Sequence, residues 1–256
     1  MSAADPETQE WKAARYAEHA PFVPFLGLPV FELLKPQPGE RILDVGCGDG
    51  VLSEKFREAG ATVVGVDASQ DMVAAARQRG IDARLADAFD LKFDAEFNAA
   101  FSNAALHWMK RDPDAVLKGV RRSLKGGGRF AGEFGGHGNV AAIVVALLAV
   151  LERRGIQNVV SLNPWYFPTT DEYRAKLELA GFRVDTIELL PRPTILPTHM
   201  RGWLETFAGP FFQIFAQRER NDAIDEVLGL LRPALCDEVG RWTVDYVRLR
   251  FLVRAG

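Results

Sequence analysis

The segment Asp44-Val45-Gly46-Cys47-Gly48-Asp49-Gly50 restricts the fold of this chain more than any other. Arg41–Val45 is short and apolar and reads as a buried strand, and residues 51–59 read as a helix. A second strand, Thr62–Asp67, ends in an acid 23 residues beyond Asp44. Strand, glycine turn, helix, strand and acid, in that order, is how an α/β sheet holds a nucleoside. Three glycines allow a sharp bend and let a ligand approach where a side chain would block it. A carboxylate at the tip of the second strand accepts two hydrogen bonds from a ribose diol.

Glycine spacing separates two nucleoside chemistries. A dinucleotide turn carries glycine at its first, third and sixth positions. Counted from Gly46, glycine falls here at the first, third and fifth, and the sixth position is Val51. A pyrophosphate needs helix N–H groups aimed at its charge, and carboxylates at Asp44 and Asp49 oppose an anion there. They suit a cationic ligand, such as an amino acid joined to a sulfonium. The same count argues against a dinucleotide oxidoreductase. On these residues the chain resembles the class I S-adenosylmethionine-dependent methyltransferases, whose first motif has this form. The resemblance implies a Rossmann-like α/β fold with a doubly wound, seven-stranded, mostly parallel sheet and an antiparallel last strand. It also implies S-adenosyl-L-methionine as cofactor and S-adenosyl-L-homocysteine as product.

The 256 residues are 25% charged and 48% hydrophobic, as in a globular protein with a substantial core. A net charge of −3 gives no pull toward nucleic acid. Cys47 and Cys236 have no metal spacing and form no disulfide framework, and the four histidines show no metal pattern either. A reducing, cytoplasmic compartment is expected. The N-terminus carries Asp5, Glu7 and Glu10 and no apolar run, so no signal peptide is expected. The longest apolar segment, residues 140–151, falls short of the ~20 residues a spanning helix needs, so no stable membrane association is expected. There is no GxxxxGK[ST] loop and no GxSxG elbow. The triglycine 126–128 follows a helix and reads as its end.

The chain reads as one domain. Residues 1–40 form N-terminal helices, over 8–19 and 27–35, separated by a break at 21–24. The core spans 41–136, with further strands over 83–86, 98–102 and 129–134 and helices over 69–79 and 113–124. Insertions cover 137–168 and 191–240. The first opens with a flexible glycine joint at 135–138 and a helix capped by Asn139. Between the insertions lie a helix over 170–180 and a sixth strand over 182–190. A last strand over 242–253 places Arg248, Arg250 and Arg254 on one face.

Candidate site residues fall at strand ends, where such sheets hold ligands. Asp44, Gly46, Cys47 and Gly48 belong to the first turn. Asp67 is the ribose acceptor, or else a helix cap, since Ser69 and Asp71 follow. Ala68 and Met72 then lie beside the adenine, although Met72 suits a core position equally. After the fourth strand, Asn103 faces the methionine part, and Ala104 and Ala105 keep bulk low. His107 is the one candidate base and substrate contact; packing of a strand-to-helix corner explains it as well. The resemblance further implies that Asp87 binds the adenine amine, with the next backbone N–H, at Ala88-Phe89, on a ring nitrogen. Tyr16 and Trp165 are candidate substrate contacts. Trp11, Tyr16, Phe22 and Phe25, together with Trp165-Tyr166-Phe167, form either a lid or ordinary core. Arg192 or Arg201 pins a substrate carboxylate, or is solvated.

The runs 39–48, 101–108 and Glu133-Phe134-Gly135-Gly136 resemble the trans-aconitate methyltransferase-like branch. The likeness is good over residues 10–136, weaker over 160–190 and poor elsewhere. Asp49 departs from the threonine common in this motif. The resemblance implies transfer to a small-molecule acceptor such as an organic acid, by a monomer or homodimer with no nucleic-acid partner. A carboxylate nucleophile needs no base at pH 7, which favours O-methylation of a carboxylate. An inactive S-adenosylmethionine-binding protein and cyclopropane-fatty-acid-synthase-like transfer to a lipid remain the alternatives. The apolar helix at 140–151 is a candidate subunit contact.

Overall fold

The computed structural model describes residue 9 and residues 11–256. Its helices and strands run α1 (Ala13–His19), α2 (Phe22–Leu34), β1 (Arg41–Val45), α3 (Val51–Glu58), β2 (Thr62–Asp67), α4 (Gln70–Gln78), β3 (Asp82–Leu85), β4 (Phe97–Asn103), α5 (Pro113–Ser123), β5 (Leu124–Gly135), α6 (Ala141–Arg153), α7 (Thr170–Leu179), β6 (Phe182–Ile195), α8 (Met200–Phe207), α9 (Gly209–Phe212), α10 (Gln217–Leu235) and β7 (Thr243–Ala255).

The sheet order is β3-β2-β1-β4-β5-β7-β6, with β7 antiparallel to both of its neighbours. Strand order therefore reverses between β1 and β4, and the ligand crevice of such a sheet lies at that point. Period-two alternation sends side chains to opposite faces. Ile42, Val63, Ala99 and Phe101 pack under α2 and α3 with Val30, Leu34 and Phe56. Leu43, Val64, Phe130 and Phe251 pack on the other face with Leu117 and Val120 of α5 and Tyr173 of α7. A separate apolar cluster joins α6, α8, α9 and α10 to Trp242, Val244 and Tyr246.

Several boundaries differ from the sequence expectation, each for a local reason. The first helix begins at Ala13 rather than at Thr8, which lies outside the described residues. The Ala13 N–H donates to Asp71 Oδ2 of α4 at 2.7 Å, so its first turn is tied to another element. The expected break at 21–24 is instead the start of α2. Pro21 already has a helical backbone, and Pro24 sits in the first turn, where a missing N–H costs nothing.

The triglycine does not end α5. Leu124 turns extended and starts β5, and the glycines sit where the β4–β5 register shifts between Phe97 and Ala99. Gly127, at φ +73°, takes up that bulge. The 135–138 joint is packed rather than loose. A Cβ on Gly135 would lie 2.4 Å from Phe167, and the Gly136 and His137 N–H groups donate to Val247 O and Pro168 O.

Asn139 does not cap α6. Its Oδ1 accepts from Val247 N, and Asp245 Oδ2 of β7 accepts from Ala142 N at 2.8 Å. The α6 helix itself buries Ile143, Leu147, Val150 and Leu151, so its apolar stripe is already covered within the chain. β6 runs on to Ile195, through Pro191 and Pro193, and the second insertion begins only after it. Proline is tolerated there because β6 is the edge strand. Among the described residues, no helix is long and apolar enough to cross a membrane.

One charged cluster fastens this edge. Glu133 of β5, 2% exposed, accepts two hydrogen bonds from Arg192 of β6, at 2.5 and 2.7 Å, and one from Arg250 of β7 at 2.8 Å. Removing one member of a buried ion network leaves the others uncompensated. Glu133→Ala should therefore lower stability by about 3–5 kcal/mol, read from urea unfolding. A loss under about 1 kcal/mol, the scale of an exposed pair, would contradict this picture.

Candidate functional site

The turn after β1 is fixed by backbone bonds to the neighbouring strand. Gly46 N and Cys47 N both donate to Val66 O, at 2.8 and 3.1 Å. Gly46 holds φ +73°, and a Cβ there would lie 2.3 Å from Ala105 Cβ. Only glycine meets both conditions. The bend and the loop after β4 thus touch and close one end of a cavity of about 1090 Å³.

Asp67 stands at the tip of β2 with two oxygens and two backbone donors. Oδ2 accepts from Gly48 N at 3.0 Å and Oδ1 from Ser69 N at 2.9 Å. An ionised carboxylate accepts about four hydrogen bonds, so each oxygen keeps room for a ligand hydroxyl. Burial pushes its pKa up, and those two N–H groups oppose the shift. Ser69 caps α4 through Met72 N, which frees Asp67 from that task. Ala68 and Met72 also line the cavity, Met72 being 3% exposed.

Asp87, Ala88 and Phe89 form the opposite wall. Asp87 Oδ1 accepts from Phe89 N at 2.9 Å, and Oδ2 pairs with Arg111 at 3.1 Å. The Arg111 guanidinium lies over the Phe89 ring, 4.0 Å from its centroid. The floor is Asn103, Ala104 and Ala105. Ala104 holds φ +55°, a region costly for a non-glycine residue, and its N–H donates to Glu133 O at 2.7 Å. The strand end is thereby turned under the cavity.

Gln9, Trp11, Lys12 and Tyr16 cover the cavity from the N-terminal side. Trp11 meets Trp108 edge-on at 4.9 Å and Tyr16 at 5.9 Å. Sequence reading missed Lys12, Arg111 and Pro164 in this lining, since no local pattern marks a residue that reaches the site from another layer.

Other expected site residues are not brought to the cavity wall. Asp44, 2% exposed, lies behind the bend and accepts from Ser53 Oγ at 2.5 Å. Burial pushes its pKa up to about 7. Cys47 Sγ faces β2 beside Gly65, and burial pushes this thiol up. Asp49 turns toward Arg79, 3.6 Å away. The His107 imidazole, 7% exposed, lies between the Trp108 and Phe167 rings and accepts from Gly135 N at 3.3 Å. Burial, then the charge of Arg248, holds its pKa well below the usual value. Trp165, 5% exposed, packs among Trp108, Phe167, Trp203 and Phe211, and its neighbour Pro164 reaches the cavity instead. Arg192 is taken by Glu133, and Arg201 by Asp225 and Glu205. Among the described residues, no group of three acids, histidines or cysteines is placed to hold a metal.

Bare backbone at Gly46 and Gly48, carboxylates at Asp67 and Asp87, and small residues at Ala68, Ala104 and Ala105 make a slot for a nucleoside joined to a cationic amino acid. This fold and site define an S-adenosylmethionine-binding methyl-transfer enzyme. Residues 43–132 match the family profile described as a methyltransferase domain. Over 254 residues the chain is 39% identical to the uncharacterized methyltransferase C70.08c of Schizosaccharomyces pombe, covering 94% of this chain and 96% of that protein. It is 33% identical over 155 residues to the trans-aconitate 2-methyltransferase of Mycolicibacterium gilvum, covering 59% of this chain and 54% of that one. The fold matches phosphoethanolamine N-methyltransferase 2 of Haemonchus contortus, crystallised with S-adenosyl-L-methionine, at a TM-score of 0.56 and 20% identity, over 90% of this chain and 52% of that one. The chain belongs to the class I S-adenosylmethionine-dependent methyltransferases.

Two measurements test this site. Asp67→Ala should weaken S-adenosylmethionine binding by about 1.5–3 kcal/mol, the scale for hydrogen bonds to a charged group, with calorimetry as the readout. An unchanged dissociation constant would remove Asp67 from the cofactor contacts. Asp44 should also shape the pH dependence of stability. Its folded pKa is about 7 and its unfolded value about 3.9, so between these the folded state binds the extra proton. This contribution is full below about pH 4 and is lost as pH rises to about 7. Asp44→Asn should flatten that part of the ligand-free stability profile; unfolding curves that fall in parallel for both proteins would refute the assignment.

Proposed function

We propose that the chain methylates a carboxylate oxygen of a small organic acid. The observation that carries this reading is the absence of an imidazole from the described cavity lining. A phenol or ammonium acceptor must lose a proton to something, whereas a carboxylate is ionised at pH 7 and needs no base. The trans-aconitate enzyme aligned over part of the chain supports an acid as acceptor.

Bound in the slot, S-adenosylmethionine supplies a methyl group already activated on a sulfonium. The chain then has to align and to exclude water. Asp67 and Asp87 hold the nucleoside end, and the Gly46–Gly48 bend receives the amino-acid end. Ala104 and Ala105 leave space at the reacting atoms. Trp11 and Tyr16 cover the cavity. Alignment of this kind supplies roughly 7–11 kcal/mol of a barrier.

In this reading the chain is one methyltransferase unit. Residues 1–40 form the lid, 41–136 hold the cofactor, and the insertions 137–168 and 191–240 shape the acceptor side. The free thiols of Cys47 and Cys236 support a cytoplasmic enzyme. Its acceptor is a small molecule.

A screen of small organic acids with the methyl donor, read by mass spectrometry, should yield a methyl ester. With that acceptor, kcat/KM should show no steep rise with pH between about 6 and 8 of the kind that deprotonation of the acceptor produces. His107→Asn should retain most activity, against the ~10²–10⁴-fold loss expected for a general base. A rate that climbs with pH, or a His107→Asn variant that is inactive though folded, would argue for an acceptor that has to be deprotonated.

A further inference from the structure

Arg111 reaches the cavity wall from the segment that joins β4 to α5. Its chain neighbours are both tied down. Lys110 Nζ donates to Asn163 O at 2.8 Å, and Asp112 caps α5 by accepting from Ala115 N at 2.9 Å. Two other parts of the fold therefore fix the point from which the Arg111 side chain starts.

From there the side chain crosses to the segment after β3. Its guanidinium lies over the Phe89 ring, 4.0 Å from the centroid, and donates to Asp87 Oδ2 at 3.1 Å. Phe89 packs against the core cluster that contains Leu91 and Phe97, so its ring is a firm platform. The Phe89 N–H donates to Asp87 Oδ1 at 2.9 Å. Asp87, Phe89 and Arg111 thus close a ring of three contacts: carboxylate to backbone, aromatic face to guanidinium, guanidinium to carboxylate. All three residues line the cavity, and the ring staples the segments after β3 and β4 to each other.

This staple does little for stability. The Asp87 and Arg111 side chains are about half exposed, 55% and 52%, and an exposed ion pair contributes little net free energy. Orientation is a different matter. An exposed aspartate has several rotamers open to it, and a ligand that needs one of them has to order it, at a cost in affinity. Here each Asp87 oxygen already has a donor. An ionised carboxylate accepts about four hydrogen bonds, so room for a ligand donor remains on a side chain that is already set. Arginine suits this place, because its flat group stacks on an aromatic face while it donates in its own plane.

We infer that Arg111 is a positioning residue for the adenine of the methyl donor. It holds the Asp87 carboxylate in the orientation that accepts from the exocyclic amine, and so helps the site tell an aminopurine from an oxopurine. An amine donates to that carboxylate, whereas a carbonyl in its place sets lone pair against lone pair. This goes beyond the reading of Asp87 as a nucleoside contact, and rests on it.

The test is calorimetry on the ligand-free protein with S-adenosylhomocysteine and with S-inosylhomocysteine, in which a carbonyl replaces the adenine amine. The wild type should bind the adenine form more tightly. Arg111→Ala should weaken that binding by roughly 2- to 12-fold, the scale for ordering one side chain. The inosyl form should change less, so the preference between the two narrows. Arg111→Lys keeps the charge without the flat fork and should recover part of the loss; it also serves if the alanine variant fails to fold. The deciding measurement is a double variant. In an Asp87→Ala background, Arg111→Ala should have no further effect, whereas a merely structural role would cost the same there. Unchanged affinity in both Arg111 variants, or an equal loss with and without Asp87, overturns the positioning role and leaves Asp87 at the adenine. Asp87→Ala with affinity and preference both unaltered removes Asp87 from the nucleoside contacts, and the role of Arg111 with it.

Discussion

The Asp67 carboxylate is the fastening on which the site depends. One oxygen takes the Gly48 N–H from the bend after β1, and the other takes the Ser69 N–H at the start of α4. Together with Val66 O, which receives the Gly46 and Cys47 N–H groups, this pins the bend to the tip of β2. The backbone donors of a tight turn need partners when they leave water. Here the partners come from the adjacent strand, and the glycine turn becomes a rigid wall. The Asp67 carboxylate on the cavity wall is thus oriented before any ligand arrives, which reduces the ordering cost of binding.

The opposite side of the cavity is built by different means. Ala104 is held in a left-handed backbone conformation by its bond to Glu133 O, and the Glu133 side chain is gripped by Arg192 and Arg250. One residue therefore joins the floor of the site to the long antiparallel β6–β7 pair. Arg248 stands on β7, two residues before Arg250 and on the same face. Trp11 and Tyr16 complete the enclosure, held from below by Trp108 and Phe207 and at Ala13 by Asp71.

Much of the cavity wall around the β1 bend was legible in the sequence, because its signals are local. The 44–50 bend, the acid ending β2 and the small residues after β4 each declare a dihedral or an absence of bulk within a few residues. The readings that moved did so where a distant element supplied a bond. Asn139 resembled a helix cap, yet β7 provides that cap through Asp245. The triglycine resembled a helix end, yet it became a strand bulge. His107 and Trp165 carry chemistry in principle, but packing against Phe167, Trp203 and Phe211 turns both away from the cavity. Arg192, a candidate substrate contact from the sequence, is the partner of Glu133.

By itself the sequence determined the alternation of strands and helices, the glycine bend and the acids at two strand tips. Backbone conformation and side-chain period follow from neighbouring residues. Only the tertiary structure decided which acids and arginines face the cavity and which are spent on one another. That outcome depends on pairings such as Gly135 with Arg248 and Leu190 with Arg248, which join residues far apart in the chain. A charge is committed by the distance to its partner, and such distances are set by sheet register and packing, which no short stretch of sequence contains.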